Sequence, residues 1–138
     1  MSKTLKTLIR LKKDDVDKLQ KELSQIQERQ QRLHDEYNNL EAELIREEEA
    51  ATNFPEAMHG YAMFAKRTMD RQKILLNNIR MLQQAIDKKR DELLVEYGEQ
   101  KKFEIALEQR QLAALNEAKR LESIKMDEVA ARSFARKE

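Results

Sequence analysis

The chain has no cysteine, no tryptophan, one proline and two glycines in 138 residues. Without cysteine there are no disulfides, no thiolate metal sites and no thiol catalysis. Turns draw heavily on glycine and proline, so this chain can punctuate few elements. Doubly wound sheets, sandwiches and barrels are excluded on that ground. No apolar run approaches the roughly 18 residues of a membrane span. At the basic N-terminus Leu5, Leu8, Ile9 and Leu11 are interrupted by Lys6, Thr7 and Arg10, which breaks any signal-peptide core. The expected location is the cytoplasm. A net charge of +1 offers no overall footprint for phosphate, so nucleic acid is not an expected partner.

What the chain has in quantity is charge of both signs and good helix formers. Charged residues make up 38% and hydrophobic ones 40%, too apolar and too balanced for a charge-expanded disordered chain. Ala, Glu, Lys, Leu, Arg and Gln abound, as in long helices and coiled coils. From Val16 the residues Leu19, Leu23, Ile26, Gln30, Leu33, Tyr37, Leu40 and Leu44 follow in steps of three and four. Lys12, Ile9 and Leu5 extend the series backwards. Such spacing keeps one narrow stripe facing a partner helix. It predicts a first helix over about 3–51, roughly 70 Å long at 1.5 Å per residue.

The one strong breaker is Asn53-Phe54-Pro55. Proline disfavours helix at the residue before it and suits a first helical turn. The turn is therefore expected at about 52–55 and a second helix over about 56–133. Its stripe reads Met58, Tyr61, Ala65, Thr68, Gln72, Leu75, Ile79, Leu82, Ile86, Lys89 and Leu93. Beyond Tyr97-Gly98 the register falters. Phe103, Leu107, Leu112, Leu115, Leu121 and Ile124 suit a helix but form no single stripe. Gly98 costs roughly 1 kcal/mol relative to alanine and marks an expected bend. The fold class expected is all-α, a single antiparallel two-helix coiled-coil hairpin over 1–138 with an overhanging C-terminal helix. Paired positions should sum to about 108, placing Gln30 near Asn78. The overhang would then be roughly 45 Å long. One stripe on each helix favours a monomeric hairpin over a dimerising scaffold.

Two helices alone offer no water-excluding pocket to tune a catalytic group, so no enzyme, metal or cofactor is expected. His34 and His59 are too far apart in the hairpin to act together and read as solvated. Near the turn Phe54, Tyr61 and Phe64 gather with Met58, Met63 and Met69. This apolar surface is wider than two helices need, and methionine adapts well to a partner.

Three stretches carry a resemblance. These are Leu5…Leu8-Ile9-Arg10-Leu11-Lys12…Val16…Leu19, then Tyr61 with Phe64, then Arg120-Leu121-Glu122…Met126-Asp127-Glu128-Val129-Ala130…Arg132…Phe134. In order and spacing they resemble the FliJ family, stalk proteins of the bacterial flagellar type III export ATPase. The resemblance implies a cytoplasmic, non-enzymatic stalk or adaptor, peripheral at the cytoplasmic face of the inner membrane. Its open end would enter the hexameric ATPase FliI, using Leu5, Leu8, Arg10, Leu11, Arg120, Met126, Asp127 and Val129. Its tip would meet the export gate protein FlhA through Gln30, Tyr37, Phe54, Tyr61 and Phe64, and export chaperones would be further partners. Thr68 and His34 depart from the residues expected in the gate-binding patch. An injectisome stalk and a plain coiled-coil scaffold are the alternatives.

Overall fold

A computed structural model describes residues 2–137. Helix α1 spans Ser2–Asn53, a 3-10 turn spans Pro55–Ala57, and helix α2 spans Met58–Lys137. The fold is all-α, two long helices packed against each other, with no strand among the described residues. Two units divide the chain, one from Met1–Val16 with Val95–Glu138 and the other from Asp17–Leu94.

The Asp17–Leu94 unit is closed by the turn. Phe54 has φ −129° and ψ 91°, the extended conformation imposed on a residue before proline. Its amide donates to the Ala50 carbonyl, and its own carbonyl accepts from Ala57. That turn folds α2 back on α1. Leu44, Ala51, Ala65, Thr68, Gln72, Leu75, Ile79 and Ile86 are buried between the helices. Leu19, Leu23, Ile26, Leu33, Tyr37 and Leu40 are half-buried beside them. Leu75 and Ile86 lose essentially all solvent contact, each worth about 1.5–3 kcal/mol of transfer energy. Ala51, seven residues after Leu44, extends the stripe to the turn. Met58 does not join it. At 47% exposure it stands outside, because α2 opens from the 3-10 turn and first faces α1 at Tyr61.

The other unit pairs the start of α1 with the middle of α2. Leu5, Ile9 and Val16 are buried, with Lys12 half-buried among them. On α2 the facing positions are Glu96, Gln100, Phe103 and Leu107, all buried or half-buried. The stripe thus keeps its three-four steps past Tyr97, where the sequence pattern seemed to falter. Polar side chains at Glu96 and Gln100 hid its continuity. Helix α2 is unbroken across Gly98, whose surroundings are open. From position 108 to 137 every described residue of α2 is exposed.

Alignment follows from the cross-helix bonds. In the turn-bearing unit Glu22 meets Lys89, Glu36 meets Arg71 and Glu41 meets Gln72, so the helices run antiparallel. Gln30 does not reach Asn78. Its amide donates to the Gln83 side-chain oxygen at 2.9 Å and to the Ile79 carbonyl at 3.3 Å. Its long side chain leans one turn further along α2, while Asn78 is exposed.

Two outcomes follow from this packing. Cysteines replacing Leu23 and Ala85 should crosslink within one chain, whereas bridges forming only between chains would refute the pairing. Gln30→Leu should raise the melting temperature by a few degrees, since Gln83 remains solvated and about 1 kcal/mol separates the two side chains. An unchanged or lower melting temperature would show that the Gln30 bonds contribute more than its burial costs.

Candidate functional site

Charge is managed at the helix–helix seam itself. Lys12 and Lys89 both occupy stripe positions, where a lysine can lay its stem on apolar neighbours and lift its ammonium outward. Lys12 bonds Glu99 and, at 2.9 Å, Glu96. Lys89 bonds Glu22 at 2.8 Å and Glu92 at 3.4 Å. Hydrogen bonds from Lys12 hold the Glu99 carboxyl below the usual carboxylate range, and Lys89 does the same for Glu22. The two ammonium groups are pushed up by the same contacts, Lys12 chiefly by Glu99 and Lys89 chiefly by Glu22. Every buried side-chain nitrogen or oxygen among the described residues has a hydrogen-bond partner.

Three outward surfaces remain. The first surrounds the turn. Phe54 is 62% exposed, and Met58, Met63 and Met69 are exposed with it, while Tyr61 and Phe64 are half-buried at its base. Tyr37 and Gln30, expected on the same surface, lie half-buried in the seam of that unit. Thr68 is buried there too, so its small size bears on helix packing; His34 is exposed.

The second surface is the start of α1. Leu5 is buried against α2 and supports the helix from within. Leu8 is half-buried, and Arg10 and Leu11 face outward. The third is the bare stretch of α2 beyond position 107. Leu112, Leu115, Leu121, Ile124, Met126, Val129 and Phe134 are all at least 41% exposed there. Arg120 pairs with Glu117 at 2.7 Å, and Asp127 is exposed.

Sequence reasoning missed part of the outward apolar surface. Ile74, Leu76, Met81, Val95 and Ile105 of α2 are exposed. Counting from the seam shows why: they fall between its three-four steps. Among the described residues no three His, Cys, Asp or Glu side chains gather as metal ligands, and no helix is long and apolar enough to cross a membrane. His34 and His59 are exposed.

Paired helices with polar side chains along their seam and large apolar side chains turned outward define the class, an all-α helical hairpin. The chain belongs to the flagellar FliJ family. The family model described as "Flagellar FliJ protein" matches residues 1–138. Relatives called "Flagellar FliJ protein" from Caulobacter vibrioides, strains NA1000 / CB15N and ATCC 19089 / CIP 103742 / CB 15, are each 33% identical over 138 residues. Each match covers 98% of this chain and 97% of the relative. No solved structure matches the chain. Membership makes this a protein of flagellar export, in a structural and adaptor family.

The seam ion pairs set a pH dependence. Glu22 and Glu99 have carboxyls lowered by folding, so their contribution is complete above the ordinary carboxylate pKa and is lost as pH falls through the folded value. Lys12 and Lys89 contribute fully below the ordinary lysine pKa and lose their contribution as pH rises through their raised values. Thermal melts should give a plateau at neutral pH with a decline on the acid side. Glu22→Gln with Glu99→Gln should flatten that decline. An acid limb identical to that of the parent would show that these pairs carry no net stability.

Proposed function

We propose that the chain is a non-enzymatic stalk and adaptor of flagellar type III export, which links the hexameric export ATPase FliI to the gate protein FlhA and to export chaperones. The observation that carries this reading is the bare stretch of α2. Most helical stability in proteins comes from tertiary packing, and here a helix of some 30 residues has no facing helix. This stretch nonetheless keeps large apolar side chains on its surface. It is built to gain its packing from another protein.

In this reading Leu8, Arg10 and Leu11 join Arg120, Met126, Asp127 and Val129 in contact with the ATPase pore, and Leu5 acts by holding α1 in place. The exposed Phe54, with Tyr61 and Phe64, meets the gate protein, and Gln30 and Tyr37 shape the helix pair beneath it. One asymmetric helix pair in a sixfold ring meets six equivalent surfaces and cannot bind all of them alike. Its contact can therefore bias one subunit at a time without holding a catalytic group. The working site is the cytoplasmic face of the inner membrane, reached through the apparatus rather than by a span. Whole-chain membership in the flagellar family favours this system over an injectisome stalk.

Phe64→Ala should leave helicity and ATPase stimulation intact while weakening gate-protein binding and motility. Ending the chain after Arg110 should abolish ATPase stimulation while the turn region still binds the gate protein. The shortened chain should fold, since the buried contacts of α2 end by Leu107. If both changes abolish both activities in folded protein, the surfaces have no separate partners. If the intact chain stimulates no export ATPase, a plain coiled-coil scaffold replaces the stalk.

A further inference from the structure

On the bare stretch of α2 the seam positions hold Arg110, Ala114, Glu117, Leu121 and Ile124, a broken run with two large apolar residues. A longer regular run lies on another face. That face reads Leu112, Leu115, Lys119, Glu122, Met126 and Val129, in steps of three, four, three, four and three. At 100° per residue these six side chains stay within about one-third of the helix circumference. The four apolar ones are exposed by 52–68%. Neither Lys119 nor Glu122 is ion-paired to another described residue, although Arg120 and Glu117 between and beside them pair with each other.

The order of this stripe is its informative feature: two apolar residues, a cation, an anion, two apolar residues. Turned end for end it complements itself. In an antiparallel pair centred between 119 and 122, Leu112 faces Val129 of the other copy and Leu115 faces its Met126. Lys119 faces Glu122, and the same contacts recur across the two-fold axis. Antiparallel coiled coils set the two kinds of seam position opposite each other, and this alignment does so at every layer. A parallel pair would set Lys119 against Lys119 and Glu122 against Glu122.

The surface relief agrees. A shallow groove on α2 is lined by Glu122, Lys125, Met126, Val129, Ala130 and Ser133. Positions 122, 125, 126 and 129 have the spacing of one hole in knobs-into-holes packing, and 126, 129, 130 and 133 form the next. In the antiparallel alignment the knobs that meet these two holes are Leu115 and Leu112 of the second copy.

We infer that the free chain associates with a second copy through the Leu112–Val129 stripe of α2, antiparallel, with reciprocal Lys119–Glu122 pairs across a two-fold axis. The monomeric state expected from one stripe per helix then holds only for dilute protein. Because Met126 and Val129 are among the residues assigned above to the ATPase, self-association and ATPase contact exclude each other. Pairing covers the adhesive stretch until the ATPase competes for it. The pairing itself does not depend on the ATPase assignment.

Sedimentation equilibrium of the full-length chain over a concentration series tests this without any ATPase present, so its failure would leave the stalk reading untouched. The parent chain should show a monomer–dimer equilibrium. Lys119→Glu and Glu122→Lys should each raise the dissociation constant at least about tenfold, by placing like charges opposite each other. Circular dichroism should show both variants as helical as the parent. Mixing the two single variants should restore a one-to-one dimer, since all carboxylates then lie on one copy and all ammonium groups on the other. The double exchange Lys119→Glu with Glu122→Lys should dimerise on its own like the parent. A parent that stays monomeric throughout, or single variants that dimerise as well as it does, would overturn the inference. So would a mixture that fails to recombine.

Discussion

Polar side chains interrupt the helix–helix stripes, and four of them make bonds across to the other helix. Lys12 reaches Glu96 and Glu99, Gln30 reaches Gln83 and the Ile79 carbonyl, Gln72 reaches Glu41, and Lys89 reaches Glu22. Sliding one helix by a heptad would keep the apolar residues covered, because leucine accepts leucine in any layer. It would part all four from these partners and leave Gln72, the buried one, needing another. The apolar stripe supplies association, and the polar positions supply register. Everything else in the chain takes its place from that register.

Register decides where α1 stops covering α2. With α1 at Ser2–Asn53 and α2 at Met58–Lys137, the second helix has more residues than the first can face. Burial on α2 ends by Leu107; beyond it Leu121 and Ile124 keep to the seam face, while Leu112, Leu115, Met126 and Val129 lie on another. A stretch that merely continued the seam would be a truncated coiled coil awaiting a matching first helix. This one carries, besides Leu121 and Ile124 on the seam face, a second stripe of exposed apolar residues. The turn region offers a second such surface, with Phe54 and three methionines outward over half-buried Tyr61 and Phe64.

Much of the fold was legible in the sequence because its signals are local and periodic. Steps of three and four from Leu5 to Leu44 mark one face of a helix, and Pro55 fixes the turn through its constraint on Phe54. Less legible were features that depend on side-chain reach or on two patterns sharing one helix. Gln30 found Gln83 rather than Asn78 because a long amide spans an extra turn. Met58 matched the period but precedes the point where α2 first meets α1. Past Tyr97 the stripe seemed to fail because Glu96 and Gln100 hold places that hydrophobicity alone would not assign to it. The residue types of the candidate surfaces were visible in the sequence; which of their side chains face outward depended on the packing. Leu5 and Leu11 lie in one basic, apolar segment, yet one is buried and the other half exposed.

The central claim is that α1 orders α2 only as far as Leu107 and leaves the remainder for a partner protein. Amide hydrogen exchange on the isolated chain, dilute enough to be monomeric, measures this directly. The account predicts slow exchange from Leu5 to Leu44 and from Ala65 to Leu107, and fast exchange beyond Arg110, which slows when the hexameric export ATPase is added. Strong protection beyond Arg110 in the dilute chain alone, or exchange there that the ATPase leaves unchanged, would contradict it.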